Sequence, residues 1–317
     1  MYWGALFFII LSSDAQMKYL VKDNIYMSKK IGKDNDLFGE DFPTGPIRYT
    51  LRNDYMFKAV LQKNKRALTG LLAALLFLPA EEIVDTIIMN PIELGETVDD
   101  KTCILDIKIK LNDNKIINIE LQVTQYEFWI ERSLIYLCRA FDDLARGEDY
   151  GKLLPTYHIG ILDFWLSGKT KEFYSEYRLL NVKNHELYSD KLGVNVLNLR
   201  AVGDDSVSKE PKELYEWAKL FKATTWEEIR MLAESNEYIA DTAVTLKQLT
   251  ADEKIRMQCQ AREDYEHDRA TLLRQGREEG EARGIEKSIK KLAEAYMKQD
   301  SALSEEEAMN MAREILQ

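Results

Sequence analysis

The sequence predicts an α/β fold, a mixed central sheet flanked by helices, followed by a helical C-terminal region. Three observations carry this. Two neighbouring runs alternate strictly between apolar and polar residues. Helical periodicity brackets them on both sides. After Pro211 the patterns are all helical. At 317 residues the chain has room for one large domain or two ordinary ones.

Residues 1–47 read as a poorly specified N-terminal extension. The stretch Tyr2 to Leu11 is almost all apolar but too short to span a bilayer. No Lys or Arg precedes it, as a signal peptide would require. A leader translated upstream of a true start at Met17 or Met27 is the plainer reading. No later segment is long and apolar enough to cross a membrane. A Gly/Pro cluster, Phe42 to Pro46, closes the extension.

Asn53 is a suitable N-cap for a helix starting at Asp54, with Tyr55, Phe57, Val60 and Leu61 at helical spacing. A second helix over 67–76 is apolar nearly all round, and Pro79 stops it. Residues 83–92 read as a strand. Then come the two alternating runs. Cys103, Leu105, Ile107, Ile109 and Leu111 share one face, with Asp106, Lys108 and Lys110 on the other. Ile117, Ile119, Leu121 and Val123 share a face, with Asn118, Glu120 and Gln122 opposite. Asn112-Asp113-Asn114 between them makes a hairpin. A three-residue loop with Asn114 left-handed sets Ile107 on Ile119 and Ile109 on Ile117, and it sets Asp106 opposite Glu120. A slip of one residue would oppose polar to apolar along the whole ladder.

A helix over 127–146 follows, with Gly147 placed to end it. A strand lies within 153–166, and two more within 171–200. Thr225, Thr250 and Ser304 each open a capping-box pattern. Gly276, Gly280 and Gly284 fall at four-residue spacing, which marks either close helix contact or a flexible segment. Ile285, Ile289, Leu292 and Tyr296 form a narrow stripe suited to pairing with another helix. The expected divisions are 1–47, 48–200, 201–273 and 274–317.

The net charge of -11 excludes a uniformly basic nucleic-acid surface, but not a local basic groove. Most of the acidity lies after residue 200. Three scattered cysteines and three histidines read as a reduced, cytoplasmic protein without a disulfide framework or a zinc site. Any metal would be held by carboxylates, which points to Mg²⁺ or Mn²⁺.

Asp106 and Glu120 are the residues that point to chemistry. Two carboxylates facing each other in mid-sheet repel and lose hydration unless a cation joins them. A hard divalent ion would do so, and its bound water could attack a phosphodiester. Alternatively the face is wet, and the carboxylates pair with Lys108, Lys110 and solvent.

The order αβββαβ, with Asp on one hairpin strand and Glu-x-Gln on the next, resembles the PD-(D/E)XK nuclease fold. More narrowly it resembles the PD-(D/E)XK nuclease family transposases, the Rpn-like recombination-promoting nucleases. The matching pieces are NDYMFKAVL (53–61), LDIKIKL (105–111), NIELQ (118–122), the helix with Arg132 and Tyr136, GEDYGKLLPTYHIGILDF (147–164) and GREEGEARG (276–284). The resemblance implies a metal-dependent DNA endonuclease linked to recombination or mobile elements. Asp106 and Glu120 would be its metal ligands. Gln122 stands where the wider fold has a lysine. It can orient a water but supplies no charge, and Lys108, diagonal to Glu120 on the same face, is the residue that could. Asp54 would add an acidic group near the metal, or simply complement the helix N-terminus by ~0.3–1 kcal/mol. Lys58 would contact phosphate or pair with Asp54. Arg132 and Tyr136, four residues apart, would contact phosphate or brace the sheet. The alternative function is a non-catalytic DNA- or protein-binding member of the fold, its C-terminal helices forming a homo-oligomer.

Overall fold

The computed structural model describes residues 38–316 apart from 40–41, 93–106, 143, 145–146, 167, 170 and 207–210. Asp106, Cys103 and Leu105 therefore lie outside the described residues. The elements run α1 (Asp54–Lys63), α2 (Lys65–Leu76), β1 (Thr86–Ile88), β2 (Ile107–Leu111), β3 (Lys115–Gln122), α3 (Trp129–Phe141) and β4 (Thr156–Leu162). They continue with β5 (Tyr174–Leu180), β6 (Leu187–Asn198), α4 (Lys212–Lys222), α5 (Trp226–Ala233), α6 (Glu237–Ala251), α7 (Glu253–Gln299) and α8 (Glu305–Leu316). The expected mixed sheet flanked by helices is present. Its six strands lie in the order β1-β2-β3-β4-β6-β5. The pairs β3–β4 and β4–β6 are parallel and the rest antiparallel. Parallel β3 and β4 need a crossover, and α3 lies within it.

The hairpin register follows from burial. Ile107 pairs with Ile119 and Ile109 with Ile117, as the alternation requires. The turn differs in one respect. Asn112 and Asp113, not Asn114, have positive φ, 48° and 54°. The amide of Asn114 bonds back to Leu111 O. This is the pattern of a type I′ turn, which Asn and Asp tolerate. Asn112 has a further reason to be there. Its side chain accepts from the amides of Val84 and Asp85 and donates to Glu82 O. That clamp consumes the start of the expected 83–92 strand, and Pro91 has no N–H to extend its end. β1 is accordingly only three residues long.

One large core joins the Ile107, Ile109, Ile117 and Ile119 face of the sheet to α1, α2, α4, α5 and α6. A smaller core lies between the opposite face and α3, built on Trp129, Leu137, Leu162, Val194 and Val196. Residues on both sides of the expected boundaries at 47/48 and 200/201 contribute to the large core. Phe38, Phe42 and Ile47 lie in the large core, and Phe42 meets the Trp226 ring edge-on. The chain divides into two compact units after Cys259. In the second unit Ile289 and Ala293 of α7 pack with Ala308 and Ala312 of α8, so the predicted stripe does find a helix. Ile285 stays exposed. Gly276, Gly280 and Gly284 lie inside the continuous α7, and a Cβ at any of them would meet nothing within 4 Å. The helix over 127–146 is shorter than expected, ending at Phe141, six residues before Gly147.

Two of the three capping boxes form. Glu228 accepts from the amides of Thr224 and Thr225, while Thr225 caps the Glu228 amide. Ser304 and Glu307 exchange the same pair of bonds. Thr250 does not cap. It sits inside α6 and its hydroxyl donates to Leu246 O, leaving Asp252 to cap the Ile255 amide. Thr225→Ala should lower stability by about 1 kcal/mol in urea denaturation at neutral pH. The Thr224 amide, then the Thr225 bonds, hold the Glu228 carboxyl below the usual carboxylate range. Its share of stability is therefore present above that range and is lost as pH falls through the lowered value. Acid denaturation of Glu228→Gln should be correspondingly less steep than that of the parent.

Candidate active site on the polar face of the hairpin

The polar face of β3 is not wet. α3 lies over it, and its buried residues Trp129, Ser133, Leu137 and Ala140 follow helical spacing toward the sheet. The close approach depends on Gly160, the β4 neighbour of Glu120. A Cβ at Gly160 would lie 2.2 Å from Trp129 Cζ2. Glu120 and Asn118 are thereby left 4% and 2% exposed.

Four side chains then meet. Arg132 Nε of α3 stands 2.9 Å from Glu120 Oε1. His158 Nε2 of β4 stands 3.5 Å from Glu120 Oε2. His158 is fully buried, and its Nδ1 is 3.0 Å from Asn118 Nδ2. With the Asn118 amide donating, Nδ1 accepts and the ring proton sits on Nε2, toward Glu120. The Arg132 guanidinium also lies over the rings of Tyr126, at 5.6 Å, and Tyr136, at 5.0 Å.

This cluster compensates charge but leaves hydrogen bonds unmade. Among the described residues neither Glu120 oxygen receives an aligned donor, and the Arg132 Nε and His158 Nε2 protons find no aligned acceptor. The contact between Arg132 and Glu120 is Coulombic rather than a directed bond. A buried carboxylate in that state suits a further, non-directional partner such as a hard cation. Among the described residues no group of three or more His, Cys, Asp or Glu gathers as a ready metal site. Asp106, the other expected ligand, immediately precedes β2 and is outside the described residues.

The remaining expected residues are placed as follows. Lys108 pairs with Asn118 across the hairpin, half-buried and on the Glu120 face. Gln122, half-buried at the end of β3, donates to Thr124 O. Asp54 opens α1, where Asn53 caps the Met56 amide. Two residues earlier, Arg52 pairs with Asp163, whose amide bonds Gln122 O. That link fixes the start of α1 at the carboxyl ends of β3 and β4. Lys58 is only 2% exposed, so it does not offer an open phosphate contact. Lys110 pairs with Asp113 of the turn, not with Glu120.

Sequence reasoning missed His158, Asn118 and Trp129. His158, Gly160 and Leu162 alternate on one face of a recognisable strand, but nothing local says which strand lies beside them. Gly160→Ala should destabilise the protein by roughly 1–3 kcal/mol in denaturant melts by forcing Trp129 off the sheet. Trp129→Phe in that background should recover part of the loss; no recovery would show that the two residues do not form the contact.

No curated protein and no solved structure matches the chain. The family model for PD-(D/E)XK nuclease family transposases matches residues 51–276, a span that begins just before α1 and ends within α7. That span holds the whole sheet, α3 and the cluster around Glu120, and the chain belongs to the PD-(D/E)XK nuclease family transposases.

Proposed function

We propose that the protein is a DNA endonuclease dependent on Mg²⁺ or Mn²⁺, hydrolysing phosphodiester bonds in events linked to recombination or mobile elements. The family supports nuclease-related function. The observation that carries the metal-dependent reading is Glu120, buried on a central strand with no aligned donor on either carboxylate oxygen among the described residues.

In this reading Asp106 and Glu120 hold the cation. When bound, it stabilises charge on a phosphate oxygen and lowers the pKa of a water. The chain does the rest. Gln122 orients a water through its amide, at the end of the strand that carries Glu120. Lys108, diagonal to Glu120, supplies the positive charge that glutamine lacks. Asp54 adds a negative group at the start of α1, and Arg132 meets DNA phosphate. Tyr136 braces the Arg132 guanidinium. Cys138 and Cys259 are free thiols, which suits a reducing cytoplasm.

Plasmid nicking should require Mg²⁺ or Mn²⁺, stop with EDTA, and fall at least about 100-fold in Asp106→Asn and in Glu120→Gln. Nicking that survives both substitutions would remove this site from the reaction. Lys108→Met should keep the fold and Mn²⁺ binding yet lose cleavage. Unchanged cleavage in that variant would show that Lys108 supplies no charge. DNA affinity should fall steeply with salt, as phosphate-led binding requires.

A further inference from the structure

We propose that Arg132 is the resident counter-ion of Glu120, and that it and a divalent cation compete for the same carboxylate. The inference rests on the metal reading above but concerns this chain's own residue.

The geometry carries it. Glu120 is buried in mid-sheet and needs a positive partner at all times. Among the described residues Arg132 is the charged group on it, with Nε 2.9 Å from Oε1. A guanidinium stays protonated at any working pH, so its charge cannot be switched off to admit a second cation. A divalent ion at Glu120 would face that fixed charge at contact distance. The two repel across the shared carboxylate, so each weakens the other's hold on it.

Arg132 is built to withdraw. Its N–H is not aligned on the carboxylate, so no directed bond holds it there. Its side chain is 27% exposed, against 5% for Glu120. The faces of Tyr126 and Tyr136 give the guanidinium an attraction that does not depend on Glu120. His158, on the other carboxylate oxygen, is fully buried and stays with the sheet. Arg132 thus keeps the metal-free protein from holding an uncompensated buried charge, at the cost of weaker metal binding.

The test is Mn²⁺ affinity by calorimetry in the full chain, with no DNA present. Arg132→Met should bind Mn²⁺ at least about tenfold more tightly than the parent, since a full positive charge is gone from contact distance. Its melting temperature without metal should be lower, and Mn²⁺ should raise it further than it raises the parent's. Arg132→Lys, which restores a charge, should return affinity to within about threefold of the parent. Glu120→Gln added to Arg132→Met should abolish the gain. Arg132→Gln, which keeps a donor beside the carboxylate, should show the same tightening where Arg132→Met does not fold. Binding in the parent that is equal or tighter than in the neutral variants would overturn the competition and leave the metal site standing. Absence of Mn²⁺ binding in every variant would overturn the metal reading and the competition with it.

Discussion

A carboxylate buried in the middle of a sheet is the constraint on which the site depends. Glu120 is on β3, flanked by β2 and β4 and covered by α3. Removing a carboxylate from water costs several kcal/mol unless its charge is matched, and the matching charge here is the Arg132 guanidinium, with the His158 ring beside the other oxygen. Arg132 arrives from the helix above and His158 from the neighbouring strand. A wholly structural ion pair would be expected to complete its hydrogen bonds. Among the described residues this one leaves both carboxylate oxygens without an aligned donor. Buried polar groups seldom stay unfilled without a reason, and a site for a further ligand is a reason consistent with the family.

The fold supplies this arrangement through a division of the sheet's two faces. One face is closed by a broad helical core including α1, α2 and α4 to α6, which anchors the strands. The other receives α3 and only a small apolar core. The polar residues of the hairpin can then be buried without breaking the main core. Gly160 and Trp129 set how near α3 comes, and so how dry Glu120 is. Arg52 and Asp163 tie the start of α1 to the same end of the sheet, beside Gln122. The start of α1, with Asp54, thus lies at the same end of the sheet as Gln122.

The hairpin was legible because strict alternation leaves one register that buries the isoleucines together. The Asn53 cap and the Thr225 box were legible because capping is local. Thr250 shows the limit of a short pattern. Its spacing is right, yet α6 continues through it and the neighbouring Asp252 takes the cap. The packing of the helices after residue 200 is hidden from the sequence for a related reason. A composition change to helices does not reveal that those helices share a core with the sheet.

By itself the sequence determined the α/β class, the strand register, the polar set on β3 and the family resemblance, because each rests on periodicity or on neighbours along the chain. The tertiary structure decided that this polar face is buried, that Lys58 is buried, and that Arg132 and His158 flank Glu120. Those outcomes depend on which helix covers which face and on the parallel pairing of β3 with β4. Such pairings join residues about forty positions apart, where local spacing carries no information.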